Sequence, residues 1–306
     1  MSSQTFRGWN IERGVTIMNQ KFLTILGLIA RSFRLIGLGP FLQLNRDLVD
    51  FILLRFRKFP LKVYLDGHVI YGCFRHRSFL YHLSKENYAP FTTELFKSQL
   101  KPGITVVDCG AHLGFYTLLA AKLVGTKGRV FSFEPDPYNF QCLIFNIYSN
   151  KYENVTAIEK AVADRIGNTI FYQNSSTISS SLGNRKETKN FLKGVSIKKV
   201  LIQSTTLDSE LKDLPVDLIK FNIEGAEPLA LQGMTNILQV NRSLTLIAEM
   251  NPSALCSIGS SPEILISMLK SYGFDVYFID ELNQSLVLVT GENLTQKGML
   301  YCRKDG

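Results

Sequence analysis

From Ile104 onward the chain alternates short apolar strands with helical runs, and this alternation constrains its fold more than any other feature. Strand patterns lie at 104–109, 129–133, 155–159, 216–223 and 244–249, and helical patterns at 115–124, 137–150, 227–238 and 262–272. Such alternation predicts a doubly wound α/β fold, a mostly parallel sheet covered by helices on both faces. "FDVYFID" and "SLVLVT" follow, joined only by Glu281-Leu282-Asn283-Gln284. So short a connection makes these two strands antiparallel. The polar run 173–199 lacks clear periodicity. An insertion of that length is usually functional or disordered, and its place between the third and fourth strands puts it near the ligand edge of such a sheet.

The segments before Ile104 read differently. "LKVYLDGHVIYGCF" is a hairpin, because Asp66-Gly67 is a favoured two-residue turn between alternating strands. "TTELFKSQL" is a short lead-in helix ended by Pro102-Gly103, and a further helical pattern runs from Arg46 to Phe56. Phe22 to Ala30 is too short to cross a bilayer before Arg31 and Arg34 interrupt it. It reads instead as part of an amphipathic helix over 18–38, with Gln20, Thr24, Gly27, Arg31 and Arg34 on one narrow polar stripe. Its wide apolar face must be buried, by packing on the domain, by a partner subunit in a homo-oligomer, or in a membrane interface. The division is therefore 1–60, an N-terminal amphipathic helical region; 61–103, hairpin and lead-in helix; 104–290, the main domain; and 291–306, a C-terminal tail.

Charge sharpens this division. Residues 1–103 carry 15 Lys/Arg against 6 Asp/Glu, whereas the rest carries 19 against 20. A basic N-terminal third is either a solvated surface or a match for an anionic membrane or acidic acceptor. Five scattered cysteines form no C-x-x-C pair, and the four histidines show no metal-binding spacing. A reducing compartment fits best, and the expected location is cytoplasmic with peripheral membrane contact as an option.

The stretch "VVDCGAHLGFYTLLAA" carries the first strand through a glycine turn into a helix. Three ligands compete for such a turn. A phosphate-binding P-loop needs Lys-Ser/Thr after its last glycine, but Gly114 is followed by Phe115-Tyr116. A dinucleotide fingerprint needs glycine where His112 and Phe115 stand, and Asp108 would repel an anion at that strand end. S-adenosylmethionine has no phosphate and carries a sulfonium and an ammonium group, which an acid attracts. Glu134, ending the second strand pattern, can accept both hydroxyl protons of a ribose.

"VVDCGAHLGFYTLLAA", "VFSFEPDPYNFQCLIFN", "VDLIKFNIEGAEPLALQGM" and "LIAEMNP" together resemble the FkbM family of S-adenosylmethionine-dependent methyltransferases over roughly 104–280. The resemblance implies the class I methyltransferase fold, a Rossmann-like seven-stranded sheet whose last strand is antiparallel. It also implies O-methylation of a hydroxyl on a small-molecule or glycan acceptor: a sugar, glycolipid or natural product. Asp108, Gly110, Ala111, His112 and Gly114 fill the first motif, with His112 where Asn is usual. Glu134 and Pro135 fill the ribose motif, Asp136 and Asn139 fall on the adenine side, and Ala161, Val162 and Asp164 follow the third strand. "KFNIEGAE" fills the fourth-strand motif, with Asn222 where aspartate is usual.

A sugar hydroxyl is a weak nucleophile, so a base near the methyl is expected. Glu224 is the first choice, with Asn222 beside it; its competing role is as an N-cap or helix-dipole acid for the helix beginning at Glu227. Glu249 and Asn251, past the fifth strand, face the same crevice or a solvated loop. Asn222, Glu224, Glu249 and Asn251 are also oxygen donors of the kind that hold Mg²⁺, but Asn222 removes a charge, and no metal site is assigned. Two other classes stay open: a binding protein that keeps the fold without catalysis, and a nucleic-acid methyltransferase. The latter lacks an Asn/Asp-Pro-Pro-aromatic loop after the fourth strand, and no nucleic-acid partner is expected.

Overall fold

Asp66 and Gly67 both adopt left-handed backbone, with φ of 52° and 78°. Two such residues match the twist of the strands they join. They close the hairpin of β1 (Leu61–Leu65) and β2 (His68–Gly72), which is followed by α1 (Arg77–Ser84) and α2 (Pro90–Gln99). The structure, a computed structural model, describes residues 61–304 apart from 87, 175–179, 184–196 and 213. The helices expected over 18–38 and 46–56 lie outside the described residues, as does most of the polar run 173–199.

The main domain continues with β3 (Thr105–Cys109), α3 (Phe115–Val124), β4 (Arg129–Phe133), α4 (Pro137–Ser149) and β5 (Val155–Ile158). A second group follows: β6 (Ala161–Val162), β7 (Gly167–Asn174), β8 (Ile197–Thr205) and α5 (Leu207–Leu211). Next come β9 (Leu218–Phe221), α6 (Glu227–Gln232), α7 (Thr235–Val240), β10 (Leu244–Met250), α8 (Pro252–Cys256) and α9 (Pro262–Ser271). The chain closes with β11 (Asp275–Asp280), β12 (Ser285–Leu288) and β13 (Gly298–Lys304).

The central sheet has the order β12-β11-β13-β10-β9-β3-β4-β5. Strands β10, β9, β3, β4 and β5 are mutually parallel, and β13 runs antiparallel between β10 and β11. This is the doubly wound Rossmann-like arrangement, with three corrections to the sequence reading. The sheet has eight strands rather than seven, because β12 adds an outer strand to β11. The β11–β12 hairpin is antiparallel as expected and the chain's last strand is antiparallel too, but that strand is β13, inserted between β10 and β11, so the segment 291–306 set apart as a tail supplies a strand inside the sheet. The helix expected over 227–238 breaks at Gly233, where a Cβ would collide with the Ala163 carbonyl of the segment packed beside it. The flanks of the polar run are themselves strands: β7 and β8 pair antiparallel in a small sheet with β6.

Alternation along the strands divides the core. Val107, Ile219 and Leu246 pack with α6, α7 and α9 on one face, while Val106, Leu218 and Ile247 pack with α3 and the 61–103 segment on the other. Helix α3 is buried almost all round, at Phe115, Tyr116, Leu118, Leu119, Ala120, Ala121 and Val124. A helix apolar on every side needs cover on every side, and α1, α2 and the hairpin supply it.

The hairpin is fixed by a match of spacings. Asn146 and Asn150 are four residues apart on and just past α4, about 6 Å along a helix. Val69 and Tyr71 are two apart on β2, about 6.6 Å along a strand. Asn146 accepts from Tyr71 N at 2.8 Å and donates to Tyr71 O at 3.0 Å. Asn150 does the same for Val69 at 2.9 and 2.8 Å. Two side-chain amides thus pair with β2 as a neighbouring strand would, each bond adding about 1 kcal/mol net.

Candidate active site

The parity that buries Val106, Leu218 and Ile247 also places Asp108, Lys220 and Glu249 two residues further on, on the same face. A row of buried charge therefore crosses the carboxyl ends of β3, β9 and β10, where doubly wound sheets bind ligands. A cavity of about 290 Å³ opens above it, at the small end of ligand pockets.

The turn after β3 forms the cavity floor. Gly110 N and Ala111 N both donate to Phe133 O, at 2.9 and 3.0 Å. Gly110 has a φ of 81°, and a Cβ there would collide with the Asn222 carbonyl. The glycine is required because two strand ends meet backbone to backbone. His112 is also left-handed, with a φ of 54°, which turns its N–H onto Glu134 Oε2 at 2.8 Å. Burial, then His76 and Lys220, holds the His112 imidazole well below its usual pKa, so the ring is neutral. Its Nε2 is buried without a partner.

Glu134 is 4% exposed and lines the cavity. Besides His112, it accepts from Asp136 N at 2.9 Å and from Asn139 Nδ2 at 3.3 Å, both at Oε1. Burial is the largest influence and pushes its carboxyl up to about 7; the three N–H donors oppose this. Around it the wall is apolar: Phe133, Pro135, Ala161, Val162 and Phe171.

The other end of the cavity carries Asn222, Glu224 and Glu249. Glu224 follows β9 in left-handed backbone, with φ of 54°, and is 6% exposed. Such strain in a non-glycine residue gathers at functional sites. Its Oε2 accepts from Asn251 Nδ2 at 3.4 Å. Helix α6 begins after Ala226 without a side-chain cap, so the capping role open to Glu224 in the sequence is not the one it plays. Glu249 Oε1 is held by Lys297 Nζ at 2.8 Å; that ammonium is 3.9 Å from Glu224. Asn222 Oδ1 is buried and has no partner. Asn251 caps α8 through Ala254 N, so it faces Glu224 rather than open solvent.

Other expected residues sit behind the wall. Asp108 is buried beneath the turn, where Oδ2 accepts from Thr117 Oγ1 at 2.7 Å and Oδ1 is left without a partner. Burial raises its pKa, while Lys220 and Thr117 act against this. Gly114 has a φ of 91° and starts α3 against Leu143. Asp136 is the N-cap of α4, bonded to Tyr138 N at 2.9 Å and Gln173 Nε2 at 2.8 Å. Asp164 pairs with its neighbour Arg165 at 3.3 Å. None of these four lines the cavity. Among the described residues no group of three or more His, Cys, Asp or Glu side chains could hold a metal ion, and no helix is long and apolar enough to cross a membrane.

Sequence reasoning passed over Lys220, Tyr88 and Phe79, all on the wall. Lys220 is 2% exposed, with its Nζ 4.4 Å from the Tyr116 ring centre. Burial lowers its pKa, and Asp108 and Glu249 raise it. A lysine inside an apolar strand pattern was the available signal. Tyr88 and Phe79 come from the 61–103 segment, in which the sequence showed only a hairpin and a short lead-in helix.

Glu227, just outside the cavity, is fully buried. Burial, then Glu249, pushes its carboxyl from 4.5 up to about 8; Oε1 accepts from Ile223 N and Oε2 has no partner. A carboxyl raised in this way contributes stability below its unfolded pKa that is lost as pH rises through the folded one. Glu227→Gln has no such loss. Its thermal stability relative to wild type should therefore climb between pH 4.5 and 8, by on the order of a few kcal/mol, and level off above. A difference independent of pH would contradict this account.

Strand order, glycine turn and a carboxylate at the end of β4 define a class I S-adenosylmethionine-dependent methyltransferase. The Methyltransferase FkbM domain matches residues 108–276, more than half of the chain. The protein belongs to that family, and its cofactor is S-adenosylmethionine. No curated protein sequence gives a significant match. Solved structures that resemble it include a precorrin-6y C5,15-methyltransferase from Geobacter metallireducens, at 14% identity over 69% of this chain and 87% of that one, with a TM-score of 0.38. An O-methyltransferase from Thermotoga maritima matches at 13% identity over 71% and 64%, with a TM-score of 0.39. An rRNA methylase from Streptococcus thermophilus matches at 12% identity over 70% and 95%, with a TM-score of 0.38.

Proposed function

We propose that this methyltransferase modifies a hydroxyl oxygen of a sugar, glycolipid or natural product, with Glu224 as the base. The observation that carries this reading is the buried carboxylate of Glu224, on the same cavity as Glu134 but past the end of β9 rather than β4, bonded by Asn251 and not capping α6. The donor set fits the cofactor. Glu134 offers acceptor oxygens to the ribose hydroxyls. Pro135, Ala161 and Val162 offer apolar contact to the adenine, with Asn139 at its polar edge. The Gly110-Ala111-His112 backbone passes beneath, and Asn222 Oδ1 is an acceptor still lacking a donor.

When bound, S-adenosylmethionine supplies a methyl group already activated for displacement. The protein's own part is then to hold the acceptor oxygen in line and to take its proton. Glu224 Oε atoms can do both. Glu249, with one oxygen already on Lys297, holds that lysine at the cavity rim. Tyr88 and Phe79 add aromatic lining to the cavity, their rings 4.9 Å apart.

The test is a cofactor-consumption screen against cellular lipids, glycans and small metabolites, with and without nuclease treatment. A methylated hydroxyl product that survives nuclease is expected. Activity lost on nuclease treatment, or a product methylated on nitrogen or carbon, would overturn the assignment. Cofactor binding without turnover on any fraction would favour a binding protein.

A further inference from the structure

We propose that His76, which lies outside the matched FkbM segment, is a positioning residue: through Asn139 it sets the orientation of the Glu134 carboxylate and so the affinity for the cofactor's ribose. This rests on the reading of Glu134 as the ribose acceptor. The direction of each hydrogen bond around His76 is fixed by its partners. Cys73 N, just past β2, lies 3.1 Å from His76 Nδ1. A backbone N–H can only donate, so Nδ1 must be the bare nitrogen and the ring proton sits on Nε2. The Cys73 thiol, 3.3 Å from the same Nδ1, can also only donate there. His76 Nε2 therefore donates to Asn139 Oδ1, at 3.0 Å.

That bond decides which way the Asn139 amide points. With Oδ1 taken up by His76, Nδ2 faces Glu134 Oε1 and donates to it at 3.3 Å. A flipped amide would set oxygen against carboxylate and NH₂ against an N–H. The chain from Cys73 N to Glu134 has one consistent polarity, and all three side chains are shut away from water: His76 is 0% exposed, Asn139 2% and Glu134 4%. Burial pushes the His76 imidazole down to about 4, so the neutral tautomer persists at physiological pH. The other two donors to Glu134, His112 N and Asp136 N, are backbone groups of the cofactor turn and of the start of α4. The Asn139 amide is the only side-chain donor among these three. It is also the one whose direction is set from outside the methyltransferase core, by the segment that follows the N-terminal hairpin.

Titration calorimetry with S-adenosylhomocysteine and with its 2′-deoxy analogue tests this. His76→Ala should weaken S-adenosylhomocysteine about tenfold, as expected for one charge-assisted bond, and the 2′-deoxy analogue less than threefold. In a Glu134→Gln background, His76→Ala should change neither affinity further. His76→Gln, which can still donate to Asn139, should recover part of the loss. If His76→Ala does not fold, Asn139→Leu breaks the same chain one link on and should give the same pattern. Equal weakening of both ligands, or full additivity with Glu134→Gln, would overturn the inference. If Glu134→Gln alone leaves S-adenosylhomocysteine binding unchanged, it is the ribose assignment of Glu134 that fails.

Discussion

Glu224→Gln should slow methyl transfer by about 10²-fold or more, with the affinity for S-adenosylhomocysteine little changed. Glutamine keeps the shape, the left-handed turn and an oxygen for Asn251, but cannot accept a proton. The turn leaves little room for compensation: Gly225 follows with φ of 98°, and a Cβ there would collide with Ala254 at the start of α8. Glu249 is a poor substitute because Lys297 already sits 2.8 Å from one of its oxygens. Asn222→Asp should be tolerated, since it restores the residue the family usually carries. Near-wild-type turnover of Glu224→Gln would remove it as the base. Loss of turnover in Glu249→Gln together with rescue of chelator-treated enzyme by Mg²⁺ would replace a single base with a metal site.

The second large effect is expected at the other carboxylate. Glu134→Ala removes both oxygens offered to the ribose, and two bonds to a charged acceptor contribute about 1.5–3 kcal/mol each before the cost of stranding their partners. Affinity for S-adenosylhomocysteine should fall by at least about 10²-fold. The wild-type protein should also bind more weakly as pH falls through about 7, because burial lets Glu134 take up a proton there and a protonated oxygen no longer accepts from both hydroxyls. That pH dependence should be absent from Glu134→Ala. Equal pH profiles for the two proteins would mean another group controls binding.

The fold was legible wherever periodicity was strong. The 115–124 helix and the β3, β4 and β10 strands fall within a residue or so of their expected places, because apolar runs between glycine turns leave few alternatives. β13 was hidden for a physical reason. It completes the sheet between strands distant in sequence, and nothing local in "GMLYCRK" says where it inserts. β7 and β8 were hidden because their outward residues include Ile170 and Leu201, which blur the apolar–polar alternation. In the site, the backbone-determined positions were readable: Gly110 is demanded by the Asn222 carbonyl, and Glu134 by its strand end. Asp108 and Asp136 were legible as acids but their partners were not: Thr117 reaches Asp108 only once α3 folds back over the turn, and Gln173 reaches Asp136 from 37 residues further along the chain. His76 and Tyr88 could not be found at all, because only docking of the hairpin segment on α3 and α4 brings Tyr88 to the cavity and His76 to Asn139.

The central claim is that the cavity between Glu134 and Glu224 holds S-adenosylmethionine. Equilibrium titration of the full-length wild-type protein with S-adenosylmethionine, S-adenosylhomocysteine and NAD tests it most directly. The account predicts saturable one-to-one binding of the first two, lost in Glu134→Ala, and no comparable binding of NAD. Binding of NAD at equal affinity, or S-adenosylhomocysteine binding that Glu134→Ala leaves intact, would contradict it.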